Sequence, residues 1–166
     1  MLRPFTQEPV LGIPPSASRL PKPWVPQSSS GAHEHWQLRS LEGKRVELGS
    51  LKGEVVFLDL WATYCGPCVA ELPGIERLAQ SLKNENVAFL TVTREKAERV
   101  QEFVRKNHPA LTIYLADEKL PPDLPAQGIP TAYILDRNGS AVYHLAGGAN
   151  WDDDDARSFT RGLERQ

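Results

Sequence analysis

The sequence predicts an α/β domain built on one mixed sheet with helices on both faces. Three observations carry this. Glu54–Leu60 is apolar on both faces apart from Asp59, the pattern of a central strand paired in parallel. Strand-like and helical periodicities alternate through the middle of the chain. Two turn signals, Glu42-Gly43 and Asn138-Gly139, each lie between short alternating runs and mark a β-hairpin towards either end.

Taken in order, the chain opens on a segment without periodic apolar positions. Seven of its fourteen prolines fall within the first 26 residues, followed by Ser28-Ser29-Ser30-Gly31. Such composition favours extended or irregular backbone. Residues 1–32 are therefore expected to form a Pro/Ser-rich tail or linker, with Trp24 a candidate for docking, and residues 33–166 the folded domain. His35–Arg39 and Arg45–Leu48 form the first hairpin, and Glu54–Leu60 the central strand. A helix follows Cys65 and runs to about Lys83, with Leu72, Ile75, Leu78, Ala79 and Leu82 at helical spacing and Pro73 inside it. Val87–Val92 is a second buried strand.

Arg94–Asn107 is an amphipathic helix with Ala97, Val100, Phe103 and Val104 on one face and Pro109 beyond its end. Its charges read as a solvated face with Glu95–Arg99 and Glu102–Lys106 pairs. Leu111–Leu115 is a third strand, Thr131–Leu135 and Ala141–Leu145 the second hairpin, and Asp153–Leu163 a last helix. Asp152–Asp155 suits a helix N-terminus on dipole grounds alone. His33 and His35, flanking Glu34, read as surface residues.

Composition excludes some partners. The chain has 166 residues and a net charge of −2, with a pI near 6.1, so nothing points to nucleic acid or an anionic membrane. No apolar run approaches the roughly twenty residues of a membrane span. No continuous apolar stretch follows Met1–Thr6, so no signal peptide is read there.

Both cysteines lie in Trp61-Ala62-Thr63-Tyr64-Cys65-Gly66-Pro67-Cys68. Two thiols two residues apart at a helix start can close a small disulfide or open it by exchange. The helix dipole there favours a thiolate at Cys65. Pro67 fits a first turn, where no intrahelical bond is lost. A zinc site would need about four ligands, and no second CxxC or His pair stands at ligand spacing. A purely structural disulfide would close a longer loop. Redox chemistry with no cofactor beyond the Cys65–Cys68 disulfide is thus the expectation, with Cys65 as nucleophile and Cys68 as resolving thiol. Asp59, a carboxylate in a buried strand, is costly unless paired or protonated. It is a candidate acid/base for Cys68. A peroxiredoxin-type site is excluded, because Leu60-Trp61-Ala62 precede Thr63 where a Thr three residues before the cysteine would be needed.

From about His35 onward the chain resembles the thioredoxin fold, and more narrowly the TlpA/ResA-like thiol-disulfide oxidoreductases. The resemblance rests on Asp59 six residues before Cys65, on Trp61 and Pro73, and on Gly128-Ile129-Pro130-Thr131. It rests further on Gly43–Leu48, on Cys68–Pro73, on the extra segment Arg94–Leu115 and on Gly147–Trp151. It implies a three-layer thioredoxin-like fold with an N-terminal hairpin and a cis Ile129–Pro130 bond facing the dithiol. It implies a site wall of Trp61, Tyr64, Gly66, Pro67, Ile129 and Pro130, with Glu71 modulating the dithiol. The implied activity is reduction of protein disulfides, with a thiol electron donor, in a monomer. The implied setting is extracytoplasmic, with a cytoplasmic one as the alternative. A redox-regulated binding module and a DsbA-like oxidant are the competing functions. Gly66-Pro67 leans towards reduction. Departures from the family pattern are Tyr64 in place of tryptophan, Phe89 where thioredoxins carry a lysine, and Leu120–Pro125 in place of a short helix.

Overall fold

The computed structural model describes residues 31–166, so all but the last two residues of the tail assigned to residues 1–32, Trp24 included, lie outside the described residues. The strands are β1 (Gln37–Ser40), β2 (Arg45–Glu47), β3 (Val55–Leu60), β4 (Val87–Thr93), β5 (Ile113–Leu115), β6 (Thr131–Leu135) and β7 (Ala141–Ala146). The helices are α1 (Gly66–Ser81), α2 (Ala97–Asn107) and α3 (Asp154–Glu164), with short 3-10 turns at Ala32–His35 and Leu48–Leu51. One seven-stranded sheet runs in the order β2-β1-β5-β4-β3-β6-β7. β3, β4 and β5 are mutually parallel, and the flanking pairs are antiparallel. The segment 94–115 thus supplies a crossover helix and a strand that join the N-terminal hairpin to the rest of the sheet.

All six residues of β3 are buried, which is why its sequence lacks alternation. Its even positions, Val56, Leu58 and Leu60, pack with Trp36, Leu48, Leu124 and Tyr133. That face is covered by the two 3-10 turns and by residues 116–126. Its odd positions, Val55 and Phe57, face Ile75 and Leu78 of α1, Ala156 of α3 and Trp151. A third cluster joins Trp61, Cys68 and Leu72 to Val100 of α2. Asp59 falls on the odd face, so the strand's single polar side chain points under α1.

Two boundaries differ from expectation. α2 begins at Ala97, not Arg94. The Glu95 N–H donates to Thr93 Oγ1 (3.3 Å) and the Glu95 carboxylate is drawn to Thr63, which holds residues 94–96 outside the helix. The second hairpin is not a two-residue Asn-Gly turn, since Gly139 has φ 83° but Asn138 does not have positive φ. Gly139 N–H donates to Asp136 O, and Asp136 Oδ1 accepts from the N–H groups of Asn138 and Ser140. A four-residue turn with glycine at its left-handed last position results, and the ladder shifts register at Ile134/Leu135.

Candidate active site

Cys65 is the N-cap of α1, in extended conformation, and its Sγ accepts from the Cys68 N–H at 3.3 Å. Pro67 occupies the first turn, and no acidic side chain lies there to offset the positive end of the helix dipole. Cys65 and Cys68 are joined as a disulfide with Cα atoms 5.2 Å apart. Cys65 is half-buried and Cys68 fully buried. Gly66 and Pro67 are exposed, and a Cβ placed on Gly66 would meet nothing within 4 Å.

The loop leading to Cys65 is held from outside. Glu95 accepts from the Thr63 N–H and from the Thr63 hydroxyl, both at 2.7 Å. Its contact with Arg99, the pair expected from helical spacing, is longer at 3.6 Å. Trp61 is buried against Phe103, ring centroids 5.1 Å apart, and its indole N–H has no acceptor among the described residues.

Two carboxyls are buried between β3 and α1, Asp59 and Glu71. Glu71 Oε2 accepts from the Ala149 N–H (3.0 Å) and the Trp151 Nε1–H (3.3 Å). Glu71 Oε1 and both Asp59 oxygens accept from no donor among the described residues. Burial, and then the neighbouring Glu71 charge, hold the Asp59 carboxyl well above the usual carboxylate range. Burial also raises Glu71, to about 7, against the lowering pull of its hydrogen bonds. Like charges in one dry space cannot both ionise cheaply, so the two carboxyls titrate as a pair. Phe89 lies on the neighbouring strand β4, on the same face as Asp59 and diagonal to it. It sits opposite Phe57 and stacks on it at 5.3 Å, while Thr91 pairs with Asp59. The charged group that bears on Asp59 is Glu71 of α1, another carboxyl.

The Ile129–Pro130 bond is cis, as expected. The Pro130 carbonyl accepts from the Gly147 N–H at 2.8 Å. A cavity of about 510 Å³ opens here, lined among others by Trp61, Tyr64, Arg94, Leu120, Ala126 and Ile129. Its outer wall, residues 120–129, is pinned at several points: Leu124 is buried in the core, Tyr133 Oη donates to Pro125 O, and Asp123 binds His33. His33 corrects the surface reading. It is buried, with Nδ1 2.8 Å from Asp123 Oδ2 and Nε2 2.7 Å from Gly139 O. His35 is exposed against Glu47.

The candidates read from sequence are the cysteines, Asp59, Glu71, Trp61, Tyr64, Gly66, Pro67 and the Ile129–Pro130 loop; the Glu95–Thr63 contact and the His33–Asp123 tie are not among them. An acidic residue just beyond the C-terminal end of a parallel strand, where open α/β sheets place their ligands, was the available signal for Glu95. Asp153 caps α3 through the Ala156 N–H, in keeping with a helix-start role for the acidic run. Among the described residues, no helix is long and apolar enough to cross a membrane.

The chain was compared with known proteins. It is 35% identical over 115 residues to the thiol-disulfide oxidoreductase ResA of Halalkalibacterium halodurans, covering 67% of this chain and 64% of that one. It is 32% identical over 111 residues to ResA of Bacillus anthracis, covering 64% and 63%. The chain therefore spans a little under two thirds of the length of these relatives. The crystal structure of a thiol:disulfide interchange protein of the thioredoxin family from Chlorobium tepidum superposes with a TM-score of 0.66 at 18% identity, covering 82% of this chain and 99% of that one. That likeness establishes the thioredoxin-like fold. The Redoxin family profile matches residues 24–159. On these grounds the chain belongs to the Redoxin family, and it is similar to the ResA thiol-disulfide oxidoreductases.

Proposed function

We propose that this protein is a thiol-disulfide oxidoreductase that reduces disulfides in other proteins. The observation that carries the reading is the asymmetry of the dithiol: Cys65 is half-exposed at the helix tip beside an open groove, and Cys68 is buried one turn in. In the reduced enzyme the Cys65 thiolate attacks one sulfur of the substrate disulfide. The substrate S–S bond breaks, a mixed disulfide forms, and the departing sulfur takes a proton. The Cys68 thiolate then attacks Cys65 Sγ, releasing the second substrate sulfur as a thiol and closing Cys65–Cys68. Two electrons pass to the substrate, and a thiol donor returns them.

Cys68 must lose a proton to act, and Asp59 with Glu71 is the acceptor in this reading. The pair holds its proton up to about neutral pH, with Glu71 at about 7, so it exchanges protons where the enzyme works. Contact with substrate falls to Trp61, Tyr64, Ile129 and Pro130, with Gly66 and Pro67 keeping the approach to Cys65 open. Because Pro130 O is taken by Gly147, the Ile129 edge is what remains for an extended substrate chain. No cofactor is needed. The protein acts as a monomer, in the extracytoplasmic setting that the family resemblance implies.

The test is reduction of insulin disulfides with dithiothreitol as donor, read as turbidity. The wild-type chain is expected to turn over, Cys65→Ser to be inactive, and Cys68→Ser to accumulate mixed disulfides on non-reducing gels. A wild-type chain that stays at the dithiothreitol background is a redox-regulated binding module instead.

A further inference from the structure

Two large apolar side chains stand out as exposed among the described residues, Tyr64 at 72% and Ile129 at 37%, and both line the groove beside Cys65. The rest of the groove is largely apolar, with Leu60, Trp61, Leu120 and Ala126 in its walls. Its volume of about 510 Å³ falls within the roughly 300–1,000 Å³ of clefts that take ligands. The outer wall is fixed beforehand by Leu124, the His33–Asp123 pair and the Tyr133–Pro125 hydrogen bond. An occupant therefore meets a formed surface and need not order it.

The two charged residues that line this groove differ in their partners. Its charged lining residues are Arg94 and Glu95. Glu95 is spent: it accepts from the Thr63 N–H and hydroxyl and from the Thr93 hydroxyl, with Arg99 at 3.6 Å. Arg94 is exposed, and its guanidinium pairs with no carboxylate among the described residues. The groove thus presents an apolar floor with one uncompensated cation at its edge. Low-dielectric walls strengthen the field of such a charge over the groove.

We propose that this groove docks an extended apolar segment of the disulfide-bearing partner protein, and that Arg94 selects segments carrying a carboxylate beside the target cysteine. This rests on the reductase reading and adds the substrate class to it. A carboxylate on the segment completes the ion pair that Arg94 lacks, whereas a lysine there meets a like charge. Discrimination operates in docking, before sulfur exchange, and weakens with salt because the pair is at the rim.

The experiment uses the full chain in reduced form and short disulfide-linked peptide dimers, apolar except for one residue beside the cysteine: Asp, Asn or Lys. Second-order rate constants are read by stopped-flow tryptophan fluorescence at low and high salt. The Asp peptide is expected to react about three- to tenfold faster than the Lys peptide at low salt, with Asn between, and the spread to close at high salt. Arg94→Glu should invert the order and Arg94→Gln should flatten it; each ratio is taken within one protein, so differences in folding cancel. Equal rates for the three peptides in the wild-type chain, or a ratio that Arg94→Glu leaves standing, overturn the role of Arg94. A rate on the Asp peptide that falls with protein concentration as a dimer forms places a second copy in the groove and overturns the assigned occupant. Failure to reduce any peptide, with both thiols titrated as free, overturns the reductase reading and this proposal with it.

Discussion

Glu95 grips Thr63 with both carboxylate oxygens, each at 2.7 Å, one on the backbone N–H and one on the hydroxyl. The contact spans 32 residues of sequence and ties the end of β4 to the loop that presents Cys65. Charge-assisted bonds of this kind are worth about 1.5–3 kcal/mol each when their partner is removed. Glu95→Ala should lower the stability of the oxidised protein by about 2 kcal/mol in urea unfolding and speed exchange of the Thr63 amide. Glu95→Gln, which keeps an acceptor for that amide, should recover most of the loss. Unchanged exchange at Thr63 in Glu95→Ala would sink the clamp.

The buried carboxyls set a pH dependence. Glu71 is raised to about 7 and Asp59 also lies well above its ordinary value, while both titrate near 4 in the unfolded chain. The folded state therefore holds protons that the unfolded state has released. Stability is fully present below about pH 4 for these groups and is lost as pH climbs through about 7. Asp59→Asn removes one of the two charges, so it should stabilise the oxidised protein by about 1–3 kcal/mol at pH 8 and by little at pH 4. Calorimetric scans across this range check it. A lower melting temperature at pH 8 would make Asp59 a structural residue.

Glu71 has a second duty as acceptor for the Ala149 N–H and the Trp151 indole. Glu71→Ala strands both donors in the core, at about 1–3 kcal/mol for each. The expected fall in Tm is about 5–15 °C for a chain of this size. Glu71→Gln retains an amide oxygen for the same donors and should melt within a few degrees of wild type. If Gln and Ala variants melt alike, the hydrogen bonds to residues 149–151 do not matter to the fold.

Alkylation separates the two thiols of the reduced protein. Cys68 is 0% exposed and Cys65 is half-buried at the helix tip. Brief iodoacetamide treatment followed by peptide mapping should label Cys65 about tenfold or more ahead of Cys68. Preferential labelling of Cys68 would reverse the assigned roles.

His33 and Asp123 join the start of the folded region to the groove's outer wall across 90 residues. Burial pushes the Asp123 carboxyl up, but the hydrogen bond and charge of His33 outweigh it and leave it below its ordinary value. That contribution is present above about pH 4 and is lost as acid takes the carboxylate through its lowered pKa. Leaving a buried hydrogen-bonding group without its partner typically costs about 1–3 kcal/mol. His33→Ala should approach that loss at pH 7 and lose less at pH 3, with proteolytic nicking appearing first in residues 117–129. Resistance to nicking equal to wild type would show the wall to be held without His33.

Local patterns carried most of the fold. β3 was legible because a strand buried on both faces must be apolar throughout, and Asp59 was conspicuous for the same reason. α1 and α3 were legible from their apolar spacing and capping residues. The shared-face layering and the ties at the site were not, because they join residues far apart in sequence. Nothing near Glu95 points to Thr63, and Arg99 four residues on offered a nearer partner that local reasoning preferred. His33 looked like surface because its acceptors, Asp123 and Gly139, are supplied only once β6 and β7 are in place. The start of α2 was misjudged by three residues because Glu95 answers to a tertiary contact and not to helix propensity.

Gly66 separates chemistry from architecture. Its backbone is not in the left-handed region and the space where a side chain would begin is empty to 4 Å, so no feature of the fold requires glycine between the two thiols. A side chain begun at that position would stand beside Cys65 with its first carbon clear of every neighbour. The surroundings of Cys65 can therefore change at this position while the packing beneath it stays as it is.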